Sequence, residues 1–302
     1  MNNENVIKID NLTKKIKNNL ILDGISLEIE KNSVYGVIGV NGSGKSTLLR
    51  IISTLMSPTD GDITYFGGRT LPECAYISDF PGLVELFTAR EFLKYTADLS
   101  GKTVSLEKIK EAIETVGLRD NKKYIKNYSR GMKQRLAIAG TLVTEPELIL
   151  FDEPIAGVDL AGREKFIGVL NMLKSRCTII IASHDLHELG KICDRAVIID
   201  KGKIIVEGEI SELTKRFGGT VFNITLSETL NEAQTAEIQT LSPKITHVKT
   251  VGRSISVFVS EFDNAVLAAL TDFICKTGLT AERFNMSEAR LEDIFTSEVE
   301  KL

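Results

Sequence analysis

Cysteine is scarce in this chain, with four in 302 residues. Cys74, Cys177, Cys193 and Cys275 lie far apart and form no C-x-x-C pair. That spacing excludes a recognisable zinc site or disulfide framework and reads as small buried residues. Long apolar runs are missing as well: none reaches the ~18 residues needed to cross a bilayer. The opening Met1-Asn2-Asn3-Glu4-Asn5 has no basic patch and no apolar core, so no secretory signal is read there and a cytosolic chain is expected. A basic surplus is also missing. Net charge is −4, and the stretch from Thr220 onward carries 7 Lys/Arg against 12 Asp/Glu. A general nucleic-acid binder would show the opposite balance, so nucleic acid is not expected as a partner.

Residues 39 to 47, Gly39-Val40-Asn41-Gly42-Ser43-Gly44-Lys45-Ser46-Thr47, fit the spacing G-x-x-x-x-G-K-[ST]. A loop that wraps a phosphate must turn its backbone N–H groups inward, and glycine permits the positive φ this needs. Asn41, Gly42, Gly44 and Thr47 would complete the cradle. Lys45 would add a point charge at the β/γ-phosphates, and the Ser46 hydroxyl would reach Mg²⁺. The flanks agree. The apolar run Val34 to Ile38 suits a buried strand, and Leu48, Leu49, Ile51 and Ile52 give the following segment a helical apolar face. Strand, loop and helix aim a helix N-terminus at the anion.

Two more apolar strands end in functional groups. Leu148 to Phe151 is followed by Asp152-Glu153-Pro154. Such sheets bind ligands at the carboxyl ends of their strands. Asp152 would hold Mg²⁺, and Glu153 would polarise the attacking water. Ile179 to Ala182 leads to Ser183-His184, and His184 would hydrogen-bond a γ-phosphate. Ser129 is a natural N-cap for a helix that continues through Leu136, Ala137, Ala139 and Leu142.

Residues 1 to 213 alternate short strands and helices, the pattern of an α/β layered domain. Expected strands are Val6 to Asp10, Ile25 to Ile29, Val34 to Gly39, Asp62 to Phe66, Cys74 to Ser78, Leu148 to Asp152, Thr178 to Ala182, Ala196 to Asp200 and Lys203 to Val206. A mostly helical insertion is expected over about 84 to 135. Residues 214 to 219, ending in Gly218-Gly219, read as a linker. Residues 220 to 302 carry their own period-2 and helical patterns. Their order is strand, helix, strand, strand, helix, strand, helix, and the first six elements match a split βαβ, ferredoxin-like α+β domain.

Together these pieces resemble the ABC-type ATPases. Ser129-Arg130-Gly131-Met132-Lys133-Gln134-Arg135, some 20 residues before the Asp152-Glu153-Pro154 segment, is similar to the family's signature motif. Asp159 resembles its D-loop and Ser183-His184 its H-loop. The tail resembles a C-terminal domain of type-2 export ATPases, whose final helix is similar to Leu291-Glu292-Asp293-Ile294-Phe295. The resemblance implies a P-loop NTPase core with an antiparallel β subdomain and a helical subdomain. It implies ATP and Mg²⁺, with Glu153 and His184 catalytic and Ser46, Asp79 and Asp152 around the metal. Two copies, or one copy and a paralogue, would close head to tail over two ATP molecules, with Ser129 and Gly131 of one facing the phosphate loop of the other. Closure would drive a separate membrane permease, most plainly an exporter of peptides, drugs, lipids or polysaccharides, with this subunit peripheral on the cytoplasmic face.

Three positions depart from the family pattern. Ile16 stands where an aromatic residue usually stacks on adenine, and residues 1 to 34 hold no Phe, Tyr or Trp. Asp79 replaces a glutamine that contacts Mg²⁺, and Arg130 replaces a glycine. A soluble ABC ATPase uncoupled from transport is the competing class. Translation factors of that kind carry two cassettes and repair ATPases long coiled coils. This chain has one Lys45-type loop and no heptad array. A degenerate, non-hydrolysing regulatory domain is disfavoured by intact Lys45, Asp152, Glu153 and His184.

Overall fold

Alternation and its absence sort the strands into two kinds of sheet. In the computed structural model, which describes residues 6–68, 70–155, 160–217 and 219–288, β1 (Val6–Ile16) and β2 (Asn19–Glu30) form an antiparallel hairpin. Ile25, Leu27 and Ile29 are buried while Ser26, Glu28 and Glu30 face solvent, as one wet face requires. By contrast β3 (Val34–Ile38) is buried at every position. Helix α1 (Lys45–Ile52) follows it, and β4 (Asp60–Tyr65) pairs antiparallel with β1 to complete a three-stranded sheet, β2-β1-β4.

After β5 (Cys74–Ile77) the chain is helical. Helices α2 (Ala89–Leu99), α3 (Leu106–Thr115) and α4 (Arg130–Thr144) pack on one another. Thr88 opens α2 with a capping box to Glu91, which satisfies two otherwise unpaired donors at once. The expected helical insertion ended at about 135, but α4 runs on to Thr144 because Ile138, Ala139 and Val143 bury its apolar side. The chain then returns to the second sheet through β6 (Leu148–Asp152), α5 (Leu160–Leu173), β7 (Thr178–Ser183), α6 (Leu186–Gly190), β8 (Arg195–Asp200) and β9 (Lys203–Glu209). This sheet has the order β5-β6-β7-β3-β8-β9, and the pairs from β5 to β8 are parallel. β6 and β7, like β3, are buried at every residue, the signature of a sheet covered on both faces. α1 contributes Leu48, Leu49, Ile51 and Ile52 to the same apolar cluster as Val37, Leu150 and Ile180.

The expected strands all form. The hairpin strands run further than expected, because ladder pairing continues through Leu12 to Ile16 and Asn19 to Gly24, where Leu12 and Leu22 are buried.

Contacts divide the chain into two units. The first comprises the described residues up to His184 with Lys191–Glu207, the second Asp185–Gly190 with the described residues from Gly208 onward. Residues 214 to 217, expected as linker, instead form the last turn of α7 (Ile210–Phe217). Ile210 and Leu213, three apart, are both buried, which gives the segment a helical apolar face despite its charge. Gly218 lies outside the described residues. The rest of the second unit is β10 (Thr220–Leu226), α8 (Glu232–Thr240), β11 (Ile245–Val251), β12 (Ser254–Val259), α9 (Asn264–Lys276) and β13 (Ala281–Glu288). Its sheet runs β11-β12-β10-β13, with every neighbouring pair antiparallel. Phe222, Ile224 and Val257 pack against Val266, Leu270 and Phe273 of α9. The Leu291–Phe295 segment lies outside the described residues. Of the cysteines, Cys177 and Cys193 are buried and Cys74 half-buried, but Cys275 is exposed on α9, correcting the expectation that all four are core residues.

Phe222 has no exposure and belongs only to the second unit's core. Phe222→Ala is expected to destabilise that unit by about 3–5 kcal/mol through the cavity it leaves. Amide hydrogen exchange should lose protection within residues 219–288 and keep it in β3, β6 and β7, since separate cores open separately.

Candidate functional site

The carboxyl ends of β3, β6 and β7 are neighbours in the sheet, and an open cleft of about 640 Å³ lies over them in the first unit. Its lining includes Asn41, Gly42, Gly44, Lys45, Ser46 and Thr47 from the loop, with Asp79, Asp152 and Glu153. Two glycines make the loop possible. Gly44 has φ 110°, and a Cβ there would stand 2.7 Å from Leu22 Cδ2. Gly42 has φ 84° with open space beside it, so its requirement is dihedral alone. Leu48 N–H donates to Gly44 C=O at 2.9 Å, the first bond of α1, whose first turn holds neither a side-chain cap nor an acidic residue. Such a helix start favours an anion.

Lys45 is only 5% exposed. Its Nζ donates to Gly39 C=O at 2.7 Å and Val40 C=O at 3.1 Å and faces Glu153 Oε1 at 3.5 Å. Burial pushes the ammonium below its ordinary pKa, and the Glu153 and Asp152 carboxylates oppose the drop.

The carboxylates have partners of their own. Asp152, 4% exposed, accepts from Ser46 Oγ at 3.0 Å through Oδ1 and from Tyr76 OH at 3.0 Å through Oδ2. Burial, foremost, raises the Tyr76 phenol and keeps it a donor. Glu153 has φ 51°, a left-handed backbone that is costly for a residue with a Cβ. Its N–H donates to Ala182 C=O at 2.9 Å, which ties this turn to β7. Glu153 Oε2 meets His184 Nδ1 at 3.0 Å and accepts from Ser183 Oγ at 3.4 Å. With Nδ1 donating to Glu153, His184 can also donate from Nε2 only when the ring carries both protons.

At the rim, Asp79 is paired with Arg130, whose guanidinium lies 4.3 Å from the Phe80 ring centroid. Ser129 caps α4, accepting from Met132 N–H at 3.3 Å. Ser129 and Gly131 are not among the cleft's lining residues. Neither is Ile16. It is exposed at the end of β1, paired with Asn19, and Ile21 of β2 lines the cleft instead. The hairpin turn at residues 17 and 18 explains the shift, because it carries Ile16 to the tip. Tyr35 is fully buried in the core and offers no ring to a ligand. Asp159 lies outside the described residues.

Tyr76, Ser183, Ile21 and Arg50 are site residues that sequence reasoning missed. Tyr76 lies within the segment that carries Asp79, but its bond to Asp152 depends on the parallel pairing of β5 with β6, which the sequence does not print. Ser46 and Asp152, two hard oxygen donors in contact, fit a divalent cation; Asp79 lines the same cleft but is engaged by Arg130.

Comparison with known proteins finds related chains. The family model described as "ABC transporter" matches residues 22–156. The bacitracin transport ATP-binding protein BcrA of Enterococcus faecalis is 34% identical, over 97% of this chain and 96% of its own length. The uncharacterized ABC transporter ATP-binding protein YxlF of Bacillus subtilis is 32% identical, over 96% and 98%. A solved ATP-binding subunit of an ABC transporter superposes with a TM-score of 0.64 at 25% identity, covering 70% of this chain and 93% of that one.

Tyr76→Phe removes one of the two hydroxyl donors to a buried carboxylate. A hydrogen bond to a charged group is worth about 1.5–3 kcal/mol, so urea unfolding at pH 7 should show the first unit destabilised by about that much. An unchanged midpoint would mean that Asp152 does not depend on Tyr76.

Proposed function

The chain belongs to the ABC transporter family as an ATP-binding, ATP-hydrolysing subunit, and from that premise we propose that it powers a separate membrane permease in an exporter. The observation that carries the catalytic reading is that Lys45, Ser46, Asp152 and Glu153 line one cleft, each held by hydrogen bonds or an ion pair, with His184 bonded to Glu153 from beside it. The export reading rests on the end-to-end match to a protein named for bacitracin transport. No helix among the described residues is long and apolar enough to cross a membrane, so the subunit would act peripherally, on the cytoplasmic face, through its permease.

In this reading the N–H groups of Asn41 to Thr47 surround the phosphates, and Lys45 exchanges its carbonyl partners for phosphate oxygens. Ser46 and Asp152 would hold Mg²⁺, with Asp79 nearby, and the ion would supply charge neutralisation at the triphosphate. Glu153 accepts a proton from the attacking water, and His184 orients Glu153 and reaches the γ-phosphate side. The base rests beside the β1–β2 hairpin, where Ile21 offers aliphatic surface only. Ser129 and Gly131 would serve the nucleotide of a second copy or a paralogue, in keeping with their absence from this chain's own cleft lining.

We read the second unit as a ferredoxin-like, split βαβ accessory domain. Its support is the element order β10-α8-β11-β12-α9-β13 with the strand order β11-β12-β10-β13. A domain boundary near residue 213 with an accessory domain from 220 remains the proposed division, and α7 joins the two.

Glu153→Gln keeps the shape and removes the base. ATP binding should persist while steady-state hydrolysis, measured by phosphate release, falls about 10²–10⁴-fold. Turnover at the parental rate would remove Glu153 from the mechanism.

A further inference from the structure

Three carboxylates line the cleft, and each has a different partner. Asp152 is held by the Ser46 and Tyr76 hydroxyls, and Glu153 by Lys45 and His184. Asp79 is held by Arg130, which comes from another element, the first residue of α4. That is an adverse location for a cation, because the positive end of the helix dipole lies there. Two contacts on one loop compensate: the ion pair to Asp79, and the ring of Phe80, which is itself 71% exposed. Arg130 is therefore docked on the segment that lines the phosphate end of the cleft.

We propose that Arg130 is an electrostatic guard on Asp79: by neutralising this carboxylate it lets the cleft accept a triphosphate with less dependence on a divalent cation. The proposal rests on the reading of the cleft as the ATP site. Without Arg130, Asp79 is a bare negative charge beside incoming phosphates and repels them. When a divalent cation accompanies the nucleotide, the same bare carboxylate faces that cation and the penalty shrinks. Arg130 is thus a positioning residue, acting on the nucleotide through Asp79. The two departures from the family pattern at positions 79 and 130 become one device.

The test measures equilibrium binding of a fluorescent ATP analogue, at low ionic strength, with excess EDTA and with Mg²⁺. The proteins are the parent, Arg130→Gln, Asp79→Asn, the double variant and Arg130→Lys. Arg130→Gln is expected to weaken metal-free binding about five-fold, the size of one poorly screened charge. With Mg²⁺ it should weaken binding by under about two-fold. In the Asp79→Asn background Arg130→Gln should change neither value, and Arg130→Lys should stay near the parent in both. An equal loss in the Asp79→Asn background overturns the proposal, because Arg130 would then attract the nucleotide directly. No metal-free loss in Arg130→Gln overturns it too. Thermal unfolding of each variant guards against misfolding, and Arg130→Met, neutral and unbranched, carries the test if Arg130→Gln does not fold. A parent that binds the analogue in neither buffer removes the ATP reading itself, and the guard with it.

Discussion

A buried ammonium group organises this protein. Lys45 is 5% exposed at the start of a helix, where the backbone already presents positive potential. Desolvation disfavours its charge and pushes the ammonium below its ordinary pKa. The charge persists because Gly39 and Val40 turn their carbonyls to it and Glu153 stands at 3.5 Å. A buried cation with two exchangeable carbonyl partners is poised for a stronger anionic one.

The topology serves that group. β3 is flanked by β7 and β8, and β6 lies beyond β7, so three strand ends deliver the loop, Asp152-Glu153 and Ser183-His184 to one edge. The left-handed backbone at Glu153 is a local cost that the surrounding contacts offset. Its N–H is tied to Ala182, and its carboxylate meets His184 and Lys45. The electrostatic reasoning stands on the distances themselves.

Much of this was legible in residue order. Continuous apolar runs marked β3, β6 and β7 as doubly buried strands, and the glycine spacing marked the loop, because both are local properties. Ser129 as a helix cap was legible for the same reason. What stayed hidden was tertiary or weakly patterned. The outer arms of the β1–β2 hairpin mix buried Leu12 and Leu22 with charged and polar residues and so carry no clear alternation. The α7 helix hid behind its charges and a following Gly-Gly. Tyr76 and Arg130 found their partners across strand pairing and helix docking, which leave no spacing signal. Ile16 was placed only by resemblance to a family position, and it lies at the hairpin tip beside a two-residue turn, outside the cleft lining.

The central claim is that Lys45 is a buried cation held for phosphate, and Lys45→Met, which keeps the aliphatic stem, tests it most directly. Calorimetric titration with MgATP, on protein shown folded by circular dichroism, should find affinity reduced about 100-fold, the loss of one or two charge-assisted hydrogen bonds. Binding at the parental affinity would contradict the account.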